Sequence, residues 1–125
     1  MSNALKNRLK LFKKHIKGKI LLHHVIEDIK KTSTFVPDPK LTEAQVAVRH
    51  INADKDKVTL YYKKERSKLT TQIGELNTII NSTINGDCFD EIIREESLTK
   101  ELNKLENHYK YYCDHITTMK KQLRF

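Results

Sequence analysis

The stretch LTKELNKLENHYKYYCDHITTMKKQL, from Leu98 to Leu123, decides the fold. Within it Leu98, Leu102, Leu105, Tyr109, Tyr112, Ile116, Met119 and Leu123 recur at alternating steps of four and three, and all eight are apolar. Residues so spaced share one stripe of an α-helix, and a continuous apolar stripe has to be covered by another helix. At 1.5 Å per residue this stripe runs for about 40 Å. Upstream of it, Phe89, Ile92 and Ile93 form an apolar cluster in what should be the first turns, with Asp87 placed to cap the start. The helix is expected over 88–124.

The partner of that stripe lies just before it. Thr42-Glu43-Ala44-Gln45 reads as a capping box, in which the threonine hydroxyl accepts from the Gln45 N–H and the glutamine side chain reaches back. Leu41 and Val46 flank it at the spacing of a hydrophobic staple. From there, positions 48, 51, 55, 58, 62, 65, 69, 72, 76 and 79 sample a heptad seam. Val48, Ile51, Val58, Tyr62, Leu69, Leu76 and Ile79 are apolar; Lys55, Glu65 and Gln72 are polar breaks of the kind that set register and partner. Asn85-Gly86 tolerates the left-handed conformation of a helix C-cap, so a helix over 42–84 is followed by a turn at 85–87. Gly74, or the polar stretch Asn52–Lys57, leaves open whether that helix is continuous. A turn this short makes the two helices antiparallel neighbours.

Two facing helices leave part of each seam in water, and a third helix or a second chain is needed to cover the rest. The first quarter of the sequence supplies a candidate. Leu5, Leu9, Phe12, Ile16 and Ile20 line one stripe, continued round the cylinder by Leu22, Ile26 and Ile29, with Gly18 as a weak point. The helix is expected over 3–31, ending before a linker at 32–41 that contains Pro37 and Pro39. The fold class expected is all-α: a long antiparallel, coiled-coil-like hairpin with an added basic N-terminal helix, forming a three-helix bundle in one domain over 1–125. Three glycines, two prolines and no tryptophan in 125 residues leave too little turn chemistry for a β-sandwich or barrel.

Charge is concentrated in that first helix. Residues 1–31 hold nine lysines and arginines against Glu27 and Asp28, a net +7, while the other 94 residues carry 15 basic and 14 acidic side chains. Lys6, Arg8, Lys10, Lys13, Lys14, Lys17 and Lys19 are candidate contacts to RNA or to an anionic surface, through counterion release or an amphipathic helix lying on acidic lipid. The plainer reading is a solvated face that keeps the chain soluble, since no base-stacking pattern accompanies these lysines. No apolar run reaches the roughly 18–20 residues of a membrane span, and the first residues lack the apolar core of a secretory signal, so an intracellular, cytoplasmic protein is expected.

Catalytic chemistry finds little purchase. His108, Cys113 and His115 are close in sequence, but steps of five and two do not share a helix face, so no metal site is expected. His23 and His24 diverge, and Cys88 and Cys113 have no fixed base beside them. Asp90, Glu91, Glu95 and Glu96 are explained by the positive end of a helix dipole. The Asn81-Ser82-Thr83 sequon should stay bare without a secretory signal. Tyr62, Tyr109 and Tyr112 fall on the seams, which favours packing over base stacking. The expectation is a non-enzymatic module with no catalytic residue, cofactor, metal or small-molecule substrate. Its partner is protein, through self-association on a seam formed by Val58, Tyr62, Leu69, Leu76, Leu98, Leu102, Leu105, Tyr109, Tyr112, Ile116, Met119 and Leu123. Nucleic-acid binding by the basic helix is the alternative.

Three short stretches also carry a family resemblance. Ile16-Lys17-Gly18-Lys19-Ile20 within a basic first helix, then Leu41-Thr42-Glu43-Ala44-Gln45-Val46-Ala47-Val48-Arg49, then Glu106-Asn107-His108-Tyr109 with Tyr111-Tyr112, resemble the N-terminal region of Gag-related polyproteins of BEL/Pao-type retroelements. The resemblance covers most of the chain. It departs where family members often carry a tryptophan in the second helix, a region filled here by Val58 to Tyr62. It implies a structural role in particle assembly. The zinc-knuckle and Asp-Thr/Ser-Gly protease motifs that follow in such polyproteins are not in this sequence.

Overall fold

The computed structural model describes residues 5–7, 9, 26–31, 40–83 and 86–123, and among these there is no strand. Two long helices dominate: α1, Glu43–Ser82, and α2, Phe89–Leu123. They run antiparallel and pack along their lengths, so the all-α helical bundle expected from the periodicity is what the chain forms. Residues 5–7, 9 and 26–31 are helical too.

α1 starts where its sequence says it should. The Thr42 N–H donates to Gln45 Oε1 at 2.9 Å, the Gln45 N–H donates to Thr42 Oγ1 at 3.2 Å, and the Val46 N–H closes the first helical turn on the Thr42 carbonyl. The helix then continues unbroken for 40 residues, about 60 Å, through Asn52–Lys57 and through Gly74. A Cβ built on Gly74 meets nothing within 4 Å. Glycine costs a helix interior about 1 kcal/mol relative to alanine, so Gly74→Ala should raise the melting temperature by a few degrees, measured by circular dichroism. A lower melting temperature would mean that α1 bends here in solution.

The end of α1 differs from the expected C-cap at Asn85-Gly86. The helix stops at Ser82, and Thr83 leaves it in an extended conformation. There the Thr83 N–H donates to the Ile80 carbonyl, while the Ser82 and Thr83 hydroxyls both donate to the Ile79 carbonyl. Hydroxyls competing for the last carbonyls end the helix before the glycine is reached. Gly86 adopts φ +71° further along, where it turns the connection; Ile84 and Asn85 lie outside the described residues. Asp87 does not cap α2 either. The first helical bond runs from the Ile92 N–H to the Cys88 carbonyl at 3.0 Å, which makes Cys88 the flanking residue and leaves Asp87 one position outside. Asp90 and Glu91 still sit in the first turn of α2, and Lys120 and Lys121 in its last, each on the favourable end of the helix dipole.

The core is concentrated in the half of the hairpin away from the turn. Ala47, Ile51 and Val58 of α1 meet Tyr112, Ile116 and Met119 of α2, and Leu9, Ile26 and Ile29 complete the cluster. The N-terminal segment therefore packs on the hairpin through the stripe its periodicity marked. Phe12, Ile16, Gly18, Ile20, Leu22 and the linker prolines lie outside the described residues.

Candidate assembly surface

The seam on α2 has the expected phase. Tyr112, Ile116 and Met119 are fully buried, Leu105, Tyr109 and Leu123 pack against the same cluster, and Leu98 and Leu102 are half-buried. On α1, Val58 and Leu69 are buried, and Tyr62 and Leu76 half-buried. The rest of the α1 seam is displaced. At its start the buried positions are Ala47 and Asp54 rather than Val48 and Lys55, and at its end Ile80 is half-buried while Ile79 is exposed. The inward positions 47, 51, 54, 58, 65, 69, 76 and 80 are spaced by the helix's own period. A heptad frame laid rigidly over 32 residues drifts against that period by about 20° per repeat.

The displacement matters because it seats a carboxylate in the core. Asp54 is buried, and the Tyr112 hydroxyl donates to Asp54 Oδ2 at 2.6 Å across the two helices. His50 and His115 are buried in the same half of the bundle. One level nearer the turn, Tyr109 stacks parallel on Tyr62 with ring centroids 4.0 Å apart, and its hydroxyl lies 2.8 Å from Thr59 Oγ1. Burial pushes the Tyr109 phenol above its ordinary value, against the lowering effect of the Thr59 bond. Burial, followed by the nearby Glu65 carboxylate, pushes Tyr61 the same way. Tyr62 and Tyr109 therefore pack ring on ring, and the Tyr109 hydroxyl is tied across the seam to Thr59. Asp54, like Ala47, His50 and His115, is a buried side chain outside the expected seam, and its signal is present in the sequence: it sits three residues after Ile51 and four before Val58.

Among the described residues no three His, Cys, Asp or Glu side chains come together to hold a metal ion. Both cysteines are free thiols. A groove of roughly 280 Å³ lies between the N-terminal segment and the hairpin, lined by Lys6, Leu9, Tyr61 and Glu65 among others. It is smaller than the about 300–1,000 Å³ of ligand pockets.

No family model, curated protein or solved structure matches the chain. The surface has to be read from its own chemistry. Of the candidate nucleic-acid contacts, Lys6 is exposed; Arg8, Lys10, Lys13, Lys14, Lys17 and Lys19 lie outside the described residues. Near the turn, among the described residues, only the two long helices are present, and apolar side chains of α2 face water. Phe89 is 70% exposed, Ile93 49% and Ile92 38%. These three are the apolar cluster expected in the first turns of α2, and they do not extend its buried stripe. Instead Glu91, Glu95 and Leu98 are the half-buried positions that continue the α2 stripe toward the turn, and Phe89, Ile92 and Ile93 fall on the opposite face. Counting back from Leu98 in steps of three and four explains it, since those steps land on 95 and 91. Among the described residues no helix is long and apolar enough to cross a membrane, so these side chains are not part of a spanning segment there.

Proposed function

We propose that this chain is a non-enzymatic helical assembly module that self-associates, in keeping with its resemblance to the N-terminal Gag region of BEL/Pao-type retroelements. The observation that carries the reading is the exposed apolar face near the turn, Phe89, Ile92 and Ile93, beside a seam that two helices cover only in part at Leu76, Leu98 and Leu102. Contiguous exposed apolar side chains mark an interaction site far more often than scattered ones do. Sedimentation velocity over a concentration series into the high micromolar range should show the weight-average mass rising above that of the 14.7 kDa monomer. A strict monomer throughout overturns the reading.

A second reading has its own observation, the net +7 of residues 1–31. In it the basic segment binds RNA by neutralising phosphates. Titration against single-stranded RNA at several salt concentrations should then give an affinity that falls steeply with salt, because each neutralised phosphate releases a counterion. A flat dependence eliminates it.

A further inference from the structure

The exposed apolar face of α2 is also acidic. Phe89, Ile92, Ile93 and Glu96 share the side of α2 turned away from α1, as positions i, i+3, i+4 and i+7 of one helix must. Around them Asp87 and Asp90 are exposed, and Arg94 is the single exposed cation between residues 86 and 97. On the opposite side of the hairpin, the outer face of α1 has the reverse character. Leu60 is 57% exposed there, directly away from α2. Lys57, Lys63, Lys64 and Lys68 surround it, all exposed, with Asp56 as the one exposed acid between residues 56 and 71. Each face is therefore an apolar centre in a charged rim, and the two rims have opposite sign.

We infer that the outer face of α2 near the turn docks on the outer face of α1 of a second copy of this chain, head to tail. The inference rests on the self-association proposed above and names the two surfaces that would carry it. Charge complementarity selects this pairing. An isologous contact of two α2 faces sets Asp90 and Glu96 against their own copies, and a contact of two α1 faces sets lysines against lysines, both repulsive. The α2 face against the α1 face brings Phe89, Ile92 and Ile93 onto Leu60 and puts the carboxylates among the lysines. The surfaces lie on opposite sides of the same hairpin, and the α2 face is displaced toward the turn. From the antiparallel register fixed by Asp54 opposite Tyr112 and Thr59 opposite Tyr109, that displacement between Leu60 and Ile92 is about 15 residues, or about 22 Å. A heterologous contact with such an offset leaves one donor and one acceptor face free after every addition. It grows open chains, or rings where the rotation closes, rather than stopping at a dimer.

A charge swap tests this. All the side chains involved are exposed, so the variants should keep wild-type helix content and melting temperature. K63E/K64E and D87K/E96K should each raise at least tenfold the concentration at which the weight-average mass in sedimentation climbs above the monomer. The chain carrying all four substitutions should associate like the wild type. Wild-type association should also weaken as salt is raised from 50 to 500 mM, with rim charges screened within a Debye length. A wild-type chain that never leaves the monomer overturns the self-association reading and this inference together. Association that persists in both double variants, or stops at a dimer of fixed mass, overturns the head-to-tail contact and leaves self-association standing. Loss of single-stranded RNA binding by K63E/K64E with no change in sedimentation overturns it as well, assigning the lysine face to nucleic acid.

Discussion

Tyr112→Ala should leave the chain largely unfolded at room temperature, and Tyr112→Phe should leave it folded but measurably weaker. Tyr112 is 0% exposed and stands in the cluster that, among the described residues, joins both long helices to Leu9, Ile26 and Ile29. Truncating a buried aromatic ring to a methyl group costs about 3–5 kcal/mol, from lost transfer and the cavity left behind. The alanine variant also strips Asp54 of the 2.6 Å bond it accepts from the phenol, and a buried acceptor that loses a donor costs about 1–3 kcal/mol more. Domains of this kind hold about 5–15 kcal/mol in total, so the sum consumes most of it. The phenylalanine variant keeps the ring and loses only the bond, which isolates the second contribution. Urea unfolding followed at 222 nm separates the three proteins. A Tyr112→Phe midpoint equal to wild type would show that the bond between helices carries no net energy. A Tyr112→Ala midpoint close to wild type would mean that the cluster around Tyr112 is not the core.

These numbers depend on a feature only half legible in the sequence. The α2 stripe is legible because its eight seam residues are apolar at every step, and a strong period fixes its own phase: all eight are buried or half-buried. The capping box at Thr42 was legible for the same reason: several local signals agree on one residue. The α1 seam was harder. It mixes Lys55, Glu65 and Gln72 with apolar side chains, and a heptad frame anchored at Val58 gives the right face in the middle and drifts at both ends. Asp54 is not on that frame, which places Lys55 at the seam instead. Only the antiparallel register, which brings Tyr112 opposite, shows it as a buried acceptor. The outward turn of Phe89, Ile92 and Ile93 has a similar origin. Three large apolar residues in seven suggest a core layer, but the period carried back from Leu98 places Glu91 and Glu95 on the seam. Composition misled where periodicity would have decided. Candidate function follows the same division: the packing groups were visible as a pattern, whereas the opposed charge of two outer faces depends on which helix covers which.

Ile29→Asp should collapse the bundle as a unit, lowering stability by at least about 4 kcal/mol. Ile29 is 0% exposed and packs in one cluster with Leu9, Ile26, Ile51 and Ile116. A carboxylate there loses the apolar contacts and must either hold a charge out of water or take up a proton, both unfavourable. The hairpin is not expected to survive alone. Its half away from the turn exposes Ala47, Ile51, Val58, Ile116 and Met119 once the N-terminal segment leaves, and its other half has few buried apolar side chains to hold it. A single cooperative transition, coincident by circular dichroism and by limited proteolysis, should therefore move to lower temperature for the whole chain. Leu60→Asp is the internal control. That side chain is 57% exposed and faces away from α2, so the substitution should shift stability by no more than about 0.5 kcal/mol. If Ile29→Asp instead frees only the first residues to protease and leaves the hairpin melting as in the wild type, the N-terminal segment is a separable appendage. The long seams of α1 and α2 would then be sufficient in themselves, and the third helix would be available to another partner. If both substitutions prove equally mild, the core does not lie between the hairpin and the N-terminal stripe at all. The two substitutions change the formal charge equally, one at a fully buried isoleucine and one at an exposed leucine, so the contrast between them is a statement about burial and packing rather than about net charge.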